Sequence, residues 1–323
     1  MDVSIVIPTK NGGQQLKDVL TAVFGQKTSY SYEVICVDSG SSDNTLDIIN
    51  GFDCRLFQIP AKDFGHGKTR NFGSFKGTGE FIIFITQDAV PASEHWLQNF
   101  IDAMQTDKSI VGGFGVHYPY PDCNVFDKRD LELHFKGFGA ENTVYSLEDP
   151  ERYKTDEGYR HFLAFFSDNN SCVRRSVFEK YPYDDVNFAE DQIWCRKMIE
   201  LGYKKIYCTN APVYHSHNYS LSTYFKRYYD EFKSLYGLHK FIIVKHWYLT
   251  VPAAIKHIIS DIKYLRTIVL PKREKIYWAY YSFVRNLYRY IGGYIGGIYH
   301  TFSKKGKKIA DKLFSQQYVQ KNK

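Results

Sequence analysis

The chain has 323 residues, of which 44% are apolar, so it can fold around a large core and form about two domains of typical size. That composition excludes a wholly disordered protein. The net charge of +7 is unevenly distributed, since residues 245–323 contain 16 basic and 3 acidic residues. The basic character therefore belongs to the C-terminal tail.

The cysteines and the hydropathy pattern indicate a cytosolic protein without a membrane span. The six cysteines show no CxxC pair or other zinc-ligand spacing, which is typical of reduced thiols. The N-terminus lacks the charged-then-apolar order of a signal peptide. The most apolar stretch, 241–259, is interrupted by Lys245, His246 and Lys256, so no run reaches the roughly 20 apolar residues of a spanning helix.

Strand-like and helix-like segments alternate through the first part of the chain. Apolar runs predict strands, and runs with helical spacing between them predict helices. This alternation predicts an α/β fold with a mostly parallel sheet flanked by helices, whose ligands are expected at the carboxyl ends of the strands. The predicted strands are 4–7, 32–37, 55–58 and 81–86, and the predicted helices are 14–24, one from residue 43, and 68–75.

The first candidate site residue is Asp38, which follows the second predicted strand. A carboxylate at this place can accept the imide N–H of a uracil or thymine ring, so Asp38 is a candidate for base recognition. A solvated acid in a turn is the alternative. Asp43 has a simpler explanation, because it precedes a helix and is expected to be its N-cap.

Asp88 follows the apolar strand 81–86 and lies in a loop before Pro91. Mg²⁺ and Mn²⁺ prefer oxygen ligands, and in phosphate chemistry they commonly take one or two carboxylates together with phosphate oxygens. Asp88 is therefore a candidate metal ligand. The alternative is an ordinary acid that begins a turn.

A glycine-bracketed basic loop, 63–71, leads into the third predicted helix. Backbone N–H groups at a helix start attract phosphate, and Lys68 and Arg70 would add positive charge that stabilises a departing diphosphate. The loop is not a P-loop, because the GxxxxGK[ST] spacing is absent. A surface turn with ordinary basic residues is the alternative explanation.

Glu190 and Asp191 stand near the start of a predicted helix, 188–201. Carboxylates at a helix N-terminus are stabilised by the helix dipole, so capping is one explanation. The functional explanation is that Asp191 is the general base for an acceptor hydroxyl and that Glu190 supports it.

Two histidines, His215 and His217, follow a predicted strand at 206–214. In an extended segment, residues separated by one position point to the same side. Paired imidazoles can ligate a metal. In a chain that also offers Asp88, we predict that at least one of them is a metal ligand.

Taken in order, five segments resemble the bacterial rhamnosyltransferases among the family-2 glycosyltransferases, which have the GT-A fold. The resemblance covers about residues 1–220, and five motifs in this order and spacing make a chance match implausible. The matching segments are SIVIPT at 4–9 with Asn11, VDSGSSD at 37–43, HGKTRN at 66–71, TQDA at 86–89 and AEDQ at 189–192.

The resemblance implies a GT-A domain at 1–220, with a donor half at 1–111 and an acceptor half at 112–220, and a helical C-terminal region at 221–323. It implies an inverting transfer from a nucleotide diphosphate sugar to a glycan or lipid-linked glycan, with Mn²⁺ or Mg²⁺ as cofactor. The implied donor-binding residues are Pro8, Thr9, Asn11, Asp38, His66, Lys68, Arg70, Asn71 and Gln87.

The remaining roles follow from the same resemblance. Asp88 would hold the metal with His215 or His217, and Asp191 would be the catalytic base. Asp168 and Asn169 lie where the family places an acceptor-facing loop, so they are candidate acceptor ligands.

The sequence departs from the family pattern at two places. The usual DxD motif has a single acid here, because Thr86 and Gln87 precede Asp88. Lys68 stands where related rhamnosyltransferases carry a second glycine. The favoured donor is dTDP-rhamnose, and a UDP-sugar is the alternative.

The tail, 245–323, combines aromatic and basic residues. Its glycine pairs at 292–293 and 296–297 predict helix breaks. Aromatic rings favour the lipid headgroup region and basic residues favour anionic lipids, which predicts a peripheral contact with the inner face of the cell membrane. The alternative is a homodimer interface or packing on the catalytic domain. The aromatic residues are Trp247, Tyr248, Trp278, Tyr280, Tyr281, Tyr288, Tyr290 and Tyr294.

A non-catalytic protein that binds nucleic acid through this basic tail is a hypothesis of a different class. The acids at the strand ends argue against it, because they would repel a phosphate backbone. We therefore expect no nucleic-acid partner.

Overall fold

The structure, a computed structural model, describes residues 1–186 and 188–321. The chain divides into two compact units. Unit 1 comprises Met1–Cys123 and Asp127–Ser216, and unit 2 comprises Asn124–Phe126 and His217–Lys323. The domain boundary after residue 220 stays a prediction, and the last two residues of the predicted tail, Asn322 and Lys323, lie outside the described residues.

Unit 1 contains the strands of the described chain, which form one sheet. They are β1 (Val3–Thr9), β2 (Tyr32–Asp38), β3 (Cys54–Gln58), β4 (Phe81–Ile85), β5 (Val90–Pro91), β6 (Ile110–Tyr118), β7 (Thr143–Tyr145), β8 (Asn170–Arg174) and β9 (Lys204–Tyr214).

The sheet has the order β3-β2-β1-β4-β8-β6-β9-β5, with β7 paired to β9. The four strands from β3 to β4 run parallel, as the strand-helix alternation predicts. β8 is inserted antiparallel between β4 and β6. The α/β fold with helices on the sheet is therefore confirmed, and its second half is a mixed rather than a parallel sheet.

Helices cover both faces of this sheet, so alternate residues of a strand enter different core clusters. In β1, Val3, Ile5 and Ile7 pack in one cluster, whereas Val6 packs in the other. The helices of unit 1 are α1 (Gly13–Phe24), α2 (Thr45–Asn50), α3 (His66–Ser74), α4 (Trp96–Gln105), α5 (Val125–Lys136), α6 (Pro150–Thr155), α7 (Glu157–Ala164), α8 (Arg175–Phe178) and α9 (Glu190–Glu200), of which α5 starts in the short segment assigned to unit 2.

The predicted N-cap at Asp43 is wrong by one residue. α2 begins at Thr45 with Asn44 as its N-cap. The Asp43 carboxylate instead accepts a hydrogen bond from the Thr45 N–H at 3.1 Å. A short acidic side chain can bond the backbone two residues on, so it satisfies a first-turn N–H without being the cap.

Unit 2 is helical, with a core that includes Phe126, Tyr224, Leu265 and Tyr281. Within the described residues, no helix is sufficiently long and apolar to traverse a membrane. The helices are α10 (Leu221–His239), α11 (Thr250–Thr267), α12 (Lys272–Gly297), α13 (Lys304–Phe314) and α14 (Gln316–Lys321).

The predicted helix break at 292–293 is wrong, because α12 continues through it to Gly297. The glycines serve close packing against α10. A Cβ on Gly292 would lie 2.8 Å from the Phe225 carbonyl oxygen, and one on Gly296 would lie 2.3 Å from the Tyr229 carbonyl oxygen. Contacts this short leave no room for a side chain.

Candidate functional site

Asp38 ends β2 beside Thr9, the last residue of β1, and is buried. Its Oδ2 accepts hydrogen bonds from the N–H groups of Gly40 and Ser41, each at 2.9 Å. Its Oδ1 accepts from the hydroxyls of Thr9, at 3.3 Å, and of Ser41. The carboxylate therefore shapes the loop after β2, and recognition of a base by Asp38 stays a prediction.

Asn11 and Gln87 tie the loop after β1 to its neighbours. Asn11 has a left-handed backbone with φ +50°, which asparagine tolerates, and its Oδ1 accepts from the Ser42 N–H at 2.8 Å. Gln87 bonds both backbone groups of Lys10, accepting at 2.8 Å and donating at 3.0 Å. Asn11 and Gln87, both predicted to bind the sugar donor, therefore lie at the same edge of the sheet as Asp38. Pro8, near the end of β1, lies at this edge too.

The three predicted metal ligands come together. One ligand atom each of Asp88, His215 and His217 lie within 4.8 Å of one another. The His215 Nε2 is 3.7 Å from the Asp88 Oδ1, and both side chains are partly exposed. The short strand β5 brings them close, because Val90 pairs with Tyr214 immediately before His215.

His117, which the sequence analysis missed, lies against this cluster. It is buried in β6, with its ring centroid 4.5 Å from that of Phe135 and 5.4 Å from that of His215, edge to face. Burial, followed by the charge of His215, lowers its pKa, so His117 is neutral. A lone histidine in an apolar run carries no signal of this contact, which depends on the pairing of β6 with β9.

Helix α3 divides the predicted basic loop into outward and inward residues. His66 and Lys68 are exposed, whereas Arg70 is buried. Asn71 donates to the Tyr183 carbonyl at 2.8 Å and accepts from the Tyr183 N–H at 3.1 Å. Arg70 and Asn71 thus have partners inside the protein, and a donor contact by either stays a prediction.

Arg70 is the cation of a buried acidic cluster, which we define as Arg70, Asp168, Glu190 and Asp191. Its Nη1 donates to the Glu190 Oε1 at 2.8 Å, and its Nε is 3.3 Å from the Asp168 Oδ2. The Asp168 N–H donates to the Asp191 Oδ2 at 3.2 Å, which joins the third acid to the cluster. The guanidinium therefore pairs directly with two carboxylates, and the third lies beside them.

Asp168 is held from its other side by two hydroxyls. Ser171 and Tyr183 each donate to its Oδ1 at 2.7 Å. Asp168 is 2% exposed, while the neighbouring Asn169 is partly exposed. The structure thus gives Asp168 a role in holding the acidic cluster, and acceptor binding by Asp168 and Asn169 stays a prediction.

Two acids of the cluster, Asp168 and Asp191, have a raised affinity for protons. Burial raises the pKa of Asp168 to about 6, although Arg70 opposes the rise. Burial, followed by the charges of Asp168 and Glu190, raises the pKa of Asp191. Asp168 and Glu190 are buried, whereas Asp191 keeps partial exposure. Asp191 is therefore the member that combines a raised pKa with access from solvent, as a general base requires.

Ala189, directly before α9, has a left-handed backbone with φ +60° and ψ +33°. A residue with a Cβ is strained there by roughly 1–2 kcal/mol. The turn that it makes sets Glu190 and Asp191 at the start of the helix. The strain is thus located beside the acidic cluster.

Replacing Ala189 by glycine is expected to stabilise the protein by about 1 kcal/mol, because glycine adopts positive φ without strain. Thermal unfolding followed by circular dichroism measures the change. The control is Ala22→Gly, inside helix α1, which is expected to destabilise by about 1 kcal/mol. Equal destabilisation by both substitutions would show that the left-handed turn at Ala189 carries no strain.

Comparison with known sequences matches a family model and several glycosyltransferases. A model of the family described as glycosyl transferase family 2 matches residues 4–181. The chain is 36% identical over 236 residues to the O-antigen chain rhamnosyltransferase RfbN of Salmonella typhimurium, covering 71% of each protein. It is 30% identical over 233 residues to the O-antigen chain rhamnosyltransferase WbaN of Salmonella anatum, covering 70% of each.

Comparison with solved structures supports the fold. The S. aureus TarS fragment 1–349 matches with a TM-score of 0.53 and 14% identity, covering 93% of this chain and 91% of that one. A mannosyltransferase from Pyrobaculum calidifontis, solved with GDP-Man and Mn²⁺, matches with a TM-score of 0.53 and 15% identity, covering 98% of this chain and 81% of that one. At these identities the likeness concerns the fold alone.

Proposed function

The chain belongs to glycosyl transferase family 2, and from that membership we propose that it transfers L-rhamnose from dTDP-β-L-rhamnose, with inversion, to a glycan or lipid-linked glycan. The transfer would serve the synthesis of a cell-surface polysaccharide. One observation carries the choice of sugar: the two O-antigen relatives are rhamnosyltransferases and align over about 70% of the chain. A glycosyltransferase of this family is favoured over a non-catalytic protein that binds nucleic acid.

The acidic cluster supports a single displacement. Asp191 would accept the proton of an acceptor hydroxyl as its oxygen forms a bond to the anomeric carbon of the sugar. The bond from that carbon to the diphosphate breaks on the opposite face, so the configuration inverts. Asp168, which pairs with Arg70, holds the Asp191 carboxylate through its N–H, and the exposed Lys68 offers a positive charge for the leaving diphosphate.

The donor set of Asp88, His215 and His217 fits a divalent cation, because a carboxylate oxygen and two imidazole nitrogens converge within 4.8 Å. The mixture of nitrogen and oxygen ligands favours Mn²⁺ over Mg²⁺, which takes near-ideal octahedral oxygen coordination. When bound, the ion would supply a Lewis acid for the diphosphate oxygens. His117 would keep the His215 ring in its orientation.

Replacing Asp88 by asparagine is expected to weaken Mn²⁺ binding by more than about tenfold, since the change removes the anionic ligand. Titration of Mn²⁺ followed by the loss of its free-ion EPR signal measures the affinity. Asp47→Asn, an exposed acid on α2, is the control and is expected to leave the affinity unchanged. Unaltered Mn²⁺ binding by Asp88→Asn would remove these three residues from the metal site.

The choice of donor is tested by binding and turnover with three nucleotide sugars. In the presence of Mn²⁺, dTDP-rhamnose is expected to bind tightest by calorimetry and to be hydrolysed or transferred fastest. A preference for UDP-GlcNAc would support the alternative of a UDP-sugar and would retain Asp38 as a pyrimidine ligand. Tight binding of GDP-mannose alone would contradict both the donor and the role of Asp38.

A lipid-linked acceptor would place the enzyme on the inner face of the membrane. The basic tail, 245–323, is the segment that would make this peripheral contact. Homodimerisation through the tail is the alternative, and light scattering on the full chain distinguishes a monomer from a dimer.

A further inference from the structure

Helix α11 and the turn before it expose a row of large apolar side chains, which we call the α11 outer face. The exposed fractions are 71% for Trp247, 56% for Tyr248, 50% for Val251, 49% for Ile255 and 50% for Ile259. Val251, Ile255 and Ile259 are spaced four apart, so they lie along one side of the helix. Trp247 and Tyr248 belong to the 3-10 helix Trp247–Leu249 that leads directly into it.

The opposite side of α11 already has a partner within unit 2. Ala254, Asp261 and Leu265 are buried. The Asp261 Oδ2 accepts hydrogen bonds from the Ser282 hydroxyl at 2.6 Å and the Asn286 side-chain amide at 2.8 Å, both on α12. This contact fixes the rotation of the helix, so the apolar row faces outward while the inward side is filled.

The exposed charged residues of segment 245–270 are all basic. Lys245, Lys256, Lys263 and Arg266 are exposed, and Asp261, the acid of residues 245–270, is buried against α12. The α11 outer face is therefore an apolar row flanked by cations. Aromatic and aliphatic side chains that enter the headgroup region, beside cations that meet lipid phosphates, are typical of helices that lie on an anionic bilayer.

We propose that the α11 outer face docks the protein onto the surface of an anionic phospholipid bilayer, with α11 lying in the plane of the headgroups. A second copy of the chain fits this face less well. In a two-fold dimer the same patch meets itself, which would bring the cations Lys256, Lys263 and Arg266 of one copy near those of the other. Lipid phosphates instead neutralise these cations. The inference does not depend on the transfer reaction.

The test measures binding of the full-length chain to vesicles of phosphatidylcholine with about 30% phosphatidylglycerol by flotation, where each basic residue near the surface adds to the attraction. Wild-type protein is expected to float with these vesicles and to bind at least about tenfold more weakly to phosphatidylcholine alone. Two double variants, Ile255→Ser with Ile259→Ser and Lys256→Glu with Lys263→Glu, are expected to lose at least about tenfold in binding.

The matched controls lie in unit 1. Leu133→Ser with Val144→Ser removes two exposed apolar side chains, and Lys17→Glu with Lys108→Glu reverses two exposed charges. Both are expected to bind the anionic vesicles like the wild type. Circular dichroism melts of every variant establish whether each is folded. If the serine variant unfolds, the charge variant, which keeps the apolar row, still tests the proposal.

Two results would overturn the proposal. Undiminished flotation of both α11 variants would show that another part of the chain meets the lipid. A change from dimer to monomer in the α11 variants, with no vesicle binding by the wild type, would assign the face to a second copy. Asp191→Asn is expected to bind vesicles like the wild type, so loss of transfer and loss of docking are separable.

Discussion

Replacing Asp191 by asparagine is expected to reduce the turnover number for sugar transfer by about 10²–10⁴-fold, the usual contribution of a general base. Asparagine keeps the shape of the side chain but cannot accept the acceptor's proton. Donor affinity is expected to be unchanged, because Asp191 is assigned to the acceptor. Steady-state transfer rates and calorimetric donor binding measure the two quantities.

The control is Glu200→Gln at the other end of α9, where the exposed acid pairs with Arg196. It is expected to retain wild-type transfer, since exposed ion pairs contribute little to stability. If Asp191→Asn loses donor affinity together with turnover, the residue belongs to the donor site and the assignment of the base is wrong.

The pH dependence of turnover gives a second measurement of the same residue. An ordinary aspartate has a pKa of about 3.9. Because burial raises the pKa of Asp191, its ionised form is lost at a higher pH than that of an ordinary aspartate. Turnover is expected to fall on the acidic side with an inflection above that value. The inflection belongs to the coupled acidic cluster, in which the pKa of Asp168 is raised to about 6. Asp191→Asn is expected to remove this acidic limb from the residual rate.

The parallel half of the sheet could be predicted from sequence because local patterns determine it. Apolar runs separated by helical spacing give β1, β2, β3 and β4, whose carboxyl ends must share an edge. The position of residues such as Asp38 and Gln87 at this edge follows from the parallel arrangement of the strands alone. The antiparallel strand β8 could not be placed, since its pairing with β4 and β6 joins segments far apart in the chain.

The direction of individual side chains limited prediction of the site. Sequence places Lys68 and Arg70 in one basic loop. On a helix, side chains two positions apart point about 200° away from each other, so Lys68 points outward and Arg70 inward. Tyr183 has no motif, yet its hydroxyl holds Asp168. Such contacts depend on where α3 and the segment before α9 meet, and no short pattern encodes that.

Replacing Arg70 by methionine is expected to lower the free energy of unfolding by about 3–5 kcal/mol at neutral pH, as when one partner of a buried ion pair is removed. Methionine fills similar space but leaves Asp168 and Glu190 without their ion-pair partner and Asp191 without a nearby positive charge. Urea unfolding followed by tryptophan fluorescence measures the loss. Arg196→Met removes a partly exposed arginine of α9 and is expected to cost less than about 1 kcal/mol.

The loss in Arg70→Met is expected to depend on pH in a defined direction. The guanidinium lowers the pKa of Asp168 and Asp191 against the rise that burial causes, so its removal raises both further. The stabilisation by Arg70 is therefore full only above the higher pKa values that the two acids have without the guanidinium, and it is lost as the pH falls through about 6, where Asp168 becomes protonated in the wild type. Unfolding at pH 8 and pH 5 is expected to show the larger difference between variant and wild type at pH 8. A difference that is equal at both pH values, or larger at pH 5, would mean that Arg70 acts through packing and not through the charges of the acidic cluster.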